Sequence, residues 1–231
     1  MVDADLFPVG LVVRGRRCLV VGGGRVAARK IGALLRCGAA VTVVAPDVHV
    51  AIGLLAEDGI LGGAVGSTLR VRLRPYRRGE VAGHQLVIAA TGVPAVDHAV
   101  WEDAEAAGVW VNCADDAAHC SVVLPAVHRD GPVTIAVSTG GASPALASWA
   151  RHAVANVLGP HLGTLAMLLA EARQTVHDAG GSTELVDWRS LLDGPLPALV
   201  AAGHLDAART VLAAAAAPEL ARVATPSGSS T

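Results

Sequence analysis

Apolar residues follow two rhythms along this chain. In the first half, short unbroken apolar runs alternate with segments whose apolar positions recur every three or four residues. Arg17–Val21 is one such run and ends in Gly22-Gly23-Gly24. The segment after it puts Ala27, Ile31, Leu34 and Leu35 on one helical face and stops at Gly38. Residues 41–45 form a second run, closed by Pro46, and a helical stretch then leads to Asp58 and a glycine-rich connection. Residues 69–73 and 86–90 read as the third and fourth strands, Pro94–Ala107 as a helix, and residues 109–112 as the fifth strand. Continuous apolar strands separated by helices predict a parallel sheet covered on both faces.

From residue 121 the rhythm changes. Residues 121–127 and Val133–Val137 read as strands, with His128-Arg129-Asp130-Gly131-Pro132 as the hairpin turn between them. Ser143-Pro144 predicts a helix start, serine as the N-cap and proline in the first helical position, and Gly159-Pro160 ends that helix. Residues 161–179, a piece near 184–192 and two alanine-rich segments to Ala217 continue as helices, and the Thr-Pro-Ser-Gly-Ser-Ser-Thr tail reads as disordered. The expected domains are 1–113, a nucleotide-binding α/β unit; 114–159, a dimerisation region with a substrate loop; 160–218, helical; and 219–231, a tail.

Composition narrows the class. A chain of 231 residues holds one α/β unit plus an appendage, or two small domains, and 52% hydrophobic against 16% charged residues excludes wholesale disorder. Mean hydropathy is positive, yet no uninterrupted apolar stretch approaches the roughly 20 residues of a membrane span. The first ten residues carry acids where a signal peptide needs bases, so a cytoplasmic protein with no membrane partner is expected. With 18 basic against 20 acidic residues, the charge gives no nucleic-acid footprint. Only Lys30 is a lysine; the other basic residues are arginines, which grip carboxylates bidentately. Cys18, Cys37, Cys113 and Cys120 form no CxxC pair and are expected as reduced thiols.

The glycine-rich turn carries the clearest chemistry. Gly22-Gly23-Gly24-Arg25-Val26-Ala27 fits G-x-G-x-x-A between a strand and a helix. Gly22 permits the tight turn, Gly24 lets backbone approach a pyrophosphate at the helix N-terminus, and Ala27 allows close helix–strand packing. The acid that usually ends the second strand is missing from Val43-Val44-Ala45-Pro46-Asp47, but Asp47 lies within reach of a ribose. NAD is therefore favoured over NADP, with Arg25 the feature that pulls towards a 2′-phosphate.

Three further turns belong at the same sheet edge or beyond it. Ala90-Thr91-Gly92-Val93 ends the fourth strand and should line the nicotinamide side; a turn that simply needs glycine explains Gly92 equally well. Asn112-Cys113-Ala114-Asp115-Asp116 ends the fifth strand. A carboxylate there can take a proton while a cofactor takes a hydride, or hold a metal or a pyrrole nitrogen; a cap or solvated turn explains the same residues. Cys113, His119 and Cys120 match no closed zinc site, so no metal ligand is assigned, and His119 stands out for its closeness to Asp115. Ser138-Thr139-Gly140-Gly141-Ala142-Ser143-Pro144 reads either as an anion cradle at a helix N-terminus or as a glycine turn with a capped helix.

Taken together, LFPVGLVVRGRRCLVVGGGRVAARKIGALLRCGAAVTVVAP, IAATGVPAVDHAV, VNCADDAAHCSVVLPA and VTIAVSTGGASPALASWAR resemble the precorrin-2 dehydrogenase and sirohydrochlorin ferrochelatase family, the amino-terminal part of sirohaem synthases, over residues 6–178. The serine-rich glycine loop downstream of N-x-x-D is the specific element. The resemblance implies a Rossmann-type NAD-binding domain, a dimerisation region, a helical carboxyl-terminal domain and a homodimer that builds the tetrapyrrole site jointly. It puts the catalytic aspartate at Asp115 and cofactor contacts at Gly22, Gly24, Arg25, Val26, Pro46 and Asp47, beside Thr91. The substrate contacts expected are Asn112, Ser138, Thr139, Gly140, Gly141 and Ser143, and the loop serine that some relatives phosphorylate falls at Ser138-Thr139. Where relatives have acids after strand four and proline and lysine after the aspartate, this chain has Gly92-Val93 and Ala117-Ala118. The expected activity is NAD-dependent oxidation of precorrin-2 to sirohydrochlorin, with Fe2+ as a substrate if the chain also chelates. The competing class is a non-catalytic NAD(H)-sensing module, which has no need of a carboxylate cradle.

Overall fold

Strands whose two faces are both covered keep apolar side chains at successive positions, and this is how the first half of the chain builds its sheet. The computed structural model describes residues 5–57 and 66–225. Strands β1 (Arg17–Val21), β2 (Ala40–Ala45), β3 (Thr68–Leu73), β4 (Leu86–Ala89) and β5 (Trp110–Cys113) form one sheet in the order β3-β2-β1-β4-β5. All its pairings are parallel. Side chains alternate between two cores. Cys18, Val20, Val41, Val43 and Ile88 meet Ile31 of α1 (Arg25–Arg36) and Ile52 of α2 (Val50–Glu57). Leu19, Val21, Val87 and Val111 meet Val100 and Ala104 of α3 (Pro94–Ala107). Burying one such side chain contributes about 1.5–3 kcal/mol. The strand order reverses between β1 and β4, which is where a doubly wound sheet opens a ligand crevice beyond its carboxyl ends.

The described chain divides into two units, and the sheet lies in the first: residues 5–57, 66–124 and 138–143. The second, residues 125–137 and 144–225, starts with the antiparallel hairpin β6 (Ala126–Asp130) and β7 (Val133–Val137). It continues through α4 (Pro144–Leu158), α5 (Leu162–Asp178), α6 (Trp188–Asp193), α7 (Leu196–Ala201) and α8 (Leu205–Ala224). Leu165, Leu168, Leu196, Val200, Ala208 and Leu212 form its main core. Asp130 Oδ2 accepts from Gly163 N at 2.9 Å, tying the hairpin tip to the first turn of α5. No single helix among the described residues is long and apolar enough to cross a membrane; α4 and α5 satisfy that test only jointly and are bent by 59° at their break.

Two elements differ from the periodicity. Residues 121–124 do not enter the hairpin: Ser121 N and Val122 N both donate to Val111 O, laying the chain along the edge of β5. Pro125, which lacks an N–H, separates that contact from β6, and the strand runs on to Asp130 with a two-residue Gly131-Pro132 turn, Gly131 at φ 51°. Helix α8 also continues through Pro218 to Ala224 rather than stopping at Ala217. Its far end is anchored by Glu219, which accepts from Ser182 N at 2.7 Å and from both Arg222 Nε and Nη2 at 2.7 Å. The end of the predicted second helix at Asp58, most of the connection after it and the last six residues of the predicted tail lie outside the described residues.

Candidate active site at the carboxyl edge of the sheet

The turn after β1 is shaped by backbone crowding. Gly22 sits at φ 126°, and a Cβ there would land on the Ala90 carbonyl at the end of β4. Gly23, which the motif leaves as a free position, is equally constrained, because its Cβ would land on Asp47 O. Gly23 O in turn accepts from His49 N at 2.7 Å, so the β1 and β2 turns are joined by backbone. Gly24 is the N-cap of α1 in extended conformation, and a Cβ built on it meets nothing within 4 Å. The first turn of α1 has no acid and no side-chain cap, leaving its amides for an anion. Arg25 and Val26 are exposed on that turn, and Pro46 and Asp47 are exposed at the end of β2. This cradle fits a dinucleotide pyrophosphate: open above Gly24 and closed by backbone below.

Thr91 follows β4 and is held by a residue the sequence reading passed over. Asp97 Oδ1 accepts from Thr91 N at 3.1 Å and from Thr91 Oγ1 at 2.8 Å, while Val93 N donates to Thr91 Oγ1 at 3.0 Å. Gly92 takes φ 70° between them. The available signal was an acid in the first turn of a helix opened by Pro94, where it also meets the helix dipole.

Beyond β5, Ala114 N donates to Ala89 O at 2.9 Å, which puts the Asp115 loop beside the end of β4. Asp115 is exposed and makes no side-chain hydrogen bond or ion pair among the described residues. Asn112 is 6% exposed; its Nδ2 donates to Val122 O at 2.9 Å, and its Oδ1 is a buried acceptor without a donor. A neutral acceptor left so costs about 1–3 kcal/mol. Cys120 Sγ accepts from Cys113 N at 3.2 Å and lies 3.3 Å from the carbonyls of both Cys113 and Asp116. Burial pushes the Cys113 thiol up to about 12 and raises Cys120 as well, so both are protonated hydrogen-bonding groups at neutral pH. Lys30, half-buried on α1, has its pKa lowered first by burial and then by Arg29, with Cys120 opposing.

His119 does not pair with Asp115. Its Nδ1 lies 2.6 Å from Asp116 Oδ2, and its ring packs edge-on against Trp101 and His98 of α3. The loop 138–143 belongs to the first unit. There Gly140 N donates to Ser138 Oγ, Ala142 N to Thr139 O and Ser143 N to Thr139 Oγ1, with Gly140 and Gly141 at φ 61° and 82°. These bonds occupy three of the loop's six amides, those of Gly140, Ala142 and Ser143.

With that geometry in place, similarity to known proteins is informative. A family model described as "Putative NAD(P)-binding" matches residues 9–126, and one described as "Sirohaem biosynthesis protein central" matches residues 130–151. The siroheme synthase of Methylococcus capsulatus is 38% identical over 214 residues, covering 92% of this chain and 44% of the relative. That of Nitrosomonas eutropha is 36% identical, covering 90% and 43%. The chain thus spans less than half the length of these curated relatives. A solved structure of "SirC, precorrin-2 dehydrogenase" superposes with a TM-score of 0.66 at 29% identity, covering 78% of this chain and 84% of that one. The chain belongs to the NAD(P)-binding family matched over residues 9–126, and along most of its length it is similar to part of the sirohaem synthases.

Proposed function

We propose that this protein is an NAD-dependent dehydrogenase that converts precorrin-2 to sirohydrochlorin in sirohaem biosynthesis. The observation that carries this reading is one sheet edge holding both an open pyrophosphate cradle at Gly24 and, at Asp115, a carboxylate unpaired among the described residues. Similarity to a precorrin-2 dehydrogenase along 78% of the chain supports it independently. A sensor module would need the cradle but not the carboxylate.

NAD+ supplies the hydride acceptor when bound. The α1 amides at Arg25 and Val26 bind the pyrophosphate, Pro46 and Asp47 flank the ribose, and the Thr91 turn bounds the nicotinamide side. Oxidation removes a hydride and a proton from the macrocycle and leaves it one double bond more conjugated; bound NAD+ would take the hydride, and an Asp115 carboxylate oxygen takes the proton. Asn112, at the end of β5, belongs to the substrate side, and the Ser138, Thr139, Gly140, Gly141 and Ser143 loop meets the substrate's carboxylates. Free Asp115 oxygens also suit Fe2+ as a second substrate. The reading includes a cytoplasmic homodimer formed through the 114–159 region, because α4 exposes Trp149 (68%) and Val157 (86%) on one face.

Asp115→Asn tests the assignment. It keeps the side chain's size and removes its basicity, so kcat with precorrin-2 should fall about 10²- to 10⁴-fold while NAD+ affinity holds. NADH and product absorbance should grow together in the wild type. A variant within about threefold of wild type would show that the proton leaves by another route. Adding Fe2+ to the finished reaction tests chelation separately.

A further inference from the structure

Among the described residues the Asp115 carboxylate has no partner, whereas every polar group of its neighbour Asp116 is engaged. Asp116 N donates to Cys113 O at 3.4 Å, and Asp116 O lies 3.3 Å from Cys120 Sγ. Its Oδ1 accepts from Ala118 N at 3.1 Å, and its Oδ2 meets His119 Nδ1 at 2.6 Å. The His119 ring then rests 4.3 Å from the Trp101 ring and 5.0 Å from the His98 ring, centroid to centroid. Both of these residues are on α3, where His98 Nε2 also faces Glu102 Oε1 at 3.5 Å.

We propose that Asp116 and His119 form a clamp that fixes the direction of Asp115, with Asp116 a positioning residue of the reaction. The inference rests on the reading of Asp115 as proton acceptor. Backbone is held on both sides of Asp115, at Ala114 by Ala89 O and at Asp116 by the clamp. The Cα–Cβ direction of Asp115 is thereby set, leaving only its own side-chain torsions free. Rates of oriented proton transfer fall steeply when the acceptor drifts by about 1 Å. The pair also settles a competition between adjacent acids. The His119 hydrogen bond holds the Asp116 carboxyl below the usual carboxylate range. Asp116, turned towards α3 and engaged by Ala118 N and His119, is not placed to share the proton that Asp115 receives. The clamp lies within the Asp116-Ala117-Ala118-His119 stretch, and its histidine is the residue that sequence proximity links to Asp115.

Three variants of the full chain test it with precorrin-2 and NAD+. Asp116→Ala removes both side-chain bonds, and kcat should fall about tenfold to a hundredfold while NAD+ affinity is kept. Asp116→Asn keeps an oxygen for Ala118 N and offers an N–H to a neutral His119, so it should remain within about threefold of wild type. Asp115→Asn/Asp116→Ala should be no slower than Asp115→Asn, since the second change acts only through the first. The clamp is overturned if Asp116→Ala is as fast as wild type, if both Asp116 variants slow equally, or if Asp116→Ala slows the Asp115→Asn background by its full factor. If Asp115→Asn itself runs at the wild-type rate, the reading of Asp115 falls instead. Hydrogen exchange then decides on the clamp. Protection of the Ala118 amide should be lost in Asp116→Ala and kept in Asp116→Asn, and equal protection in all forms overturns it.

Discussion

Replacing Gly24 by valine should separate cofactor binding from folding. Gly24 has φ −77° and ψ −175°, a conformation open to any residue, and its Cβ would meet no atom within 4 Å. Valine is a poor N-cap, costing on the order of 1 kcal/mol, and a stiffer unfolded chain offsets part of this. For a chain of this size that amount moves Tm by about 2–4 °C. The same open space is the one a pyrophosphate must enter to reach the first-turn amides. Hydrogen bonds to a charged group contribute about 1.5–3 kcal/mol each. Losing two costs about 3–6 kcal/mol, a roughly 10²- to 10⁴-fold rise in Kd. Gly23→Ala is the contrasting change: its Cβ falls on Asp47 O, so about 1–3 kcal/mol of overpacking should lower Tm. Thermal unfolding with and without NAD+, backed by calorimetric titration, reads both. At a hundred times Kd, NAD+ adds about 2.7 kcal/mol to the wild type. That gain should vanish in Gly24→Val while its baseline Tm stays within a few degrees. A folded Gly24→Val that binds NAD+ as tightly as the wild type refutes the reasoning.

Asp97→Ala removes both acceptors from Thr91, so KM for NAD+ should rise severalfold and Asp97→Asn should restore most of it; equal kinetics in all three would detach Thr91 from the cofactor site. Glu219 is 4% exposed and held down to about 2, chiefly by the Arg222 hydrogen bond. A depressed carboxylate contributes stability that is present above its ordinary value of 4.5 and is lost as pH falls from there towards about 2. Glu219→Gln should therefore lower Tm at pH 7 and flatten its acid dependence, and a slope as steep as the wild type's would disprove the role. Trp149→Glu should yield a monomer by light scattering at micromolar concentration if α4 forms the dimer face, and an unchanged mass excludes that face.

The sequence by itself determined what depends on neighbours a few residues apart. Uninterrupted apolar runs at β1, β2 and β4 fixed strands buried on both faces, and Pro94 with Gly108 bounded α3, which spans Pro94–Ala107 as its pattern predicts. The strand–glycine–helix order pointed to the candidate cofactor cradle, because that motif lies within six consecutive residues. Tertiary structure decided what depends on backbone brought from elsewhere. Gly23 is constrained by Asp47 O, twenty-four positions along, and no local pattern encodes that contact. The apolar run at 121–127 reads as a strand but does not say which strand supplies its hydrogen bonds, and Val111 claimed residues 121 and 122 for the edge of β5. The pair Asp115-Asp116 looks symmetrical as written. The fold distinguishes them, because α3 presents Trp101 and His98 where His119 can pack, and His119 draws Asp116 aside and leaves Asp115 free.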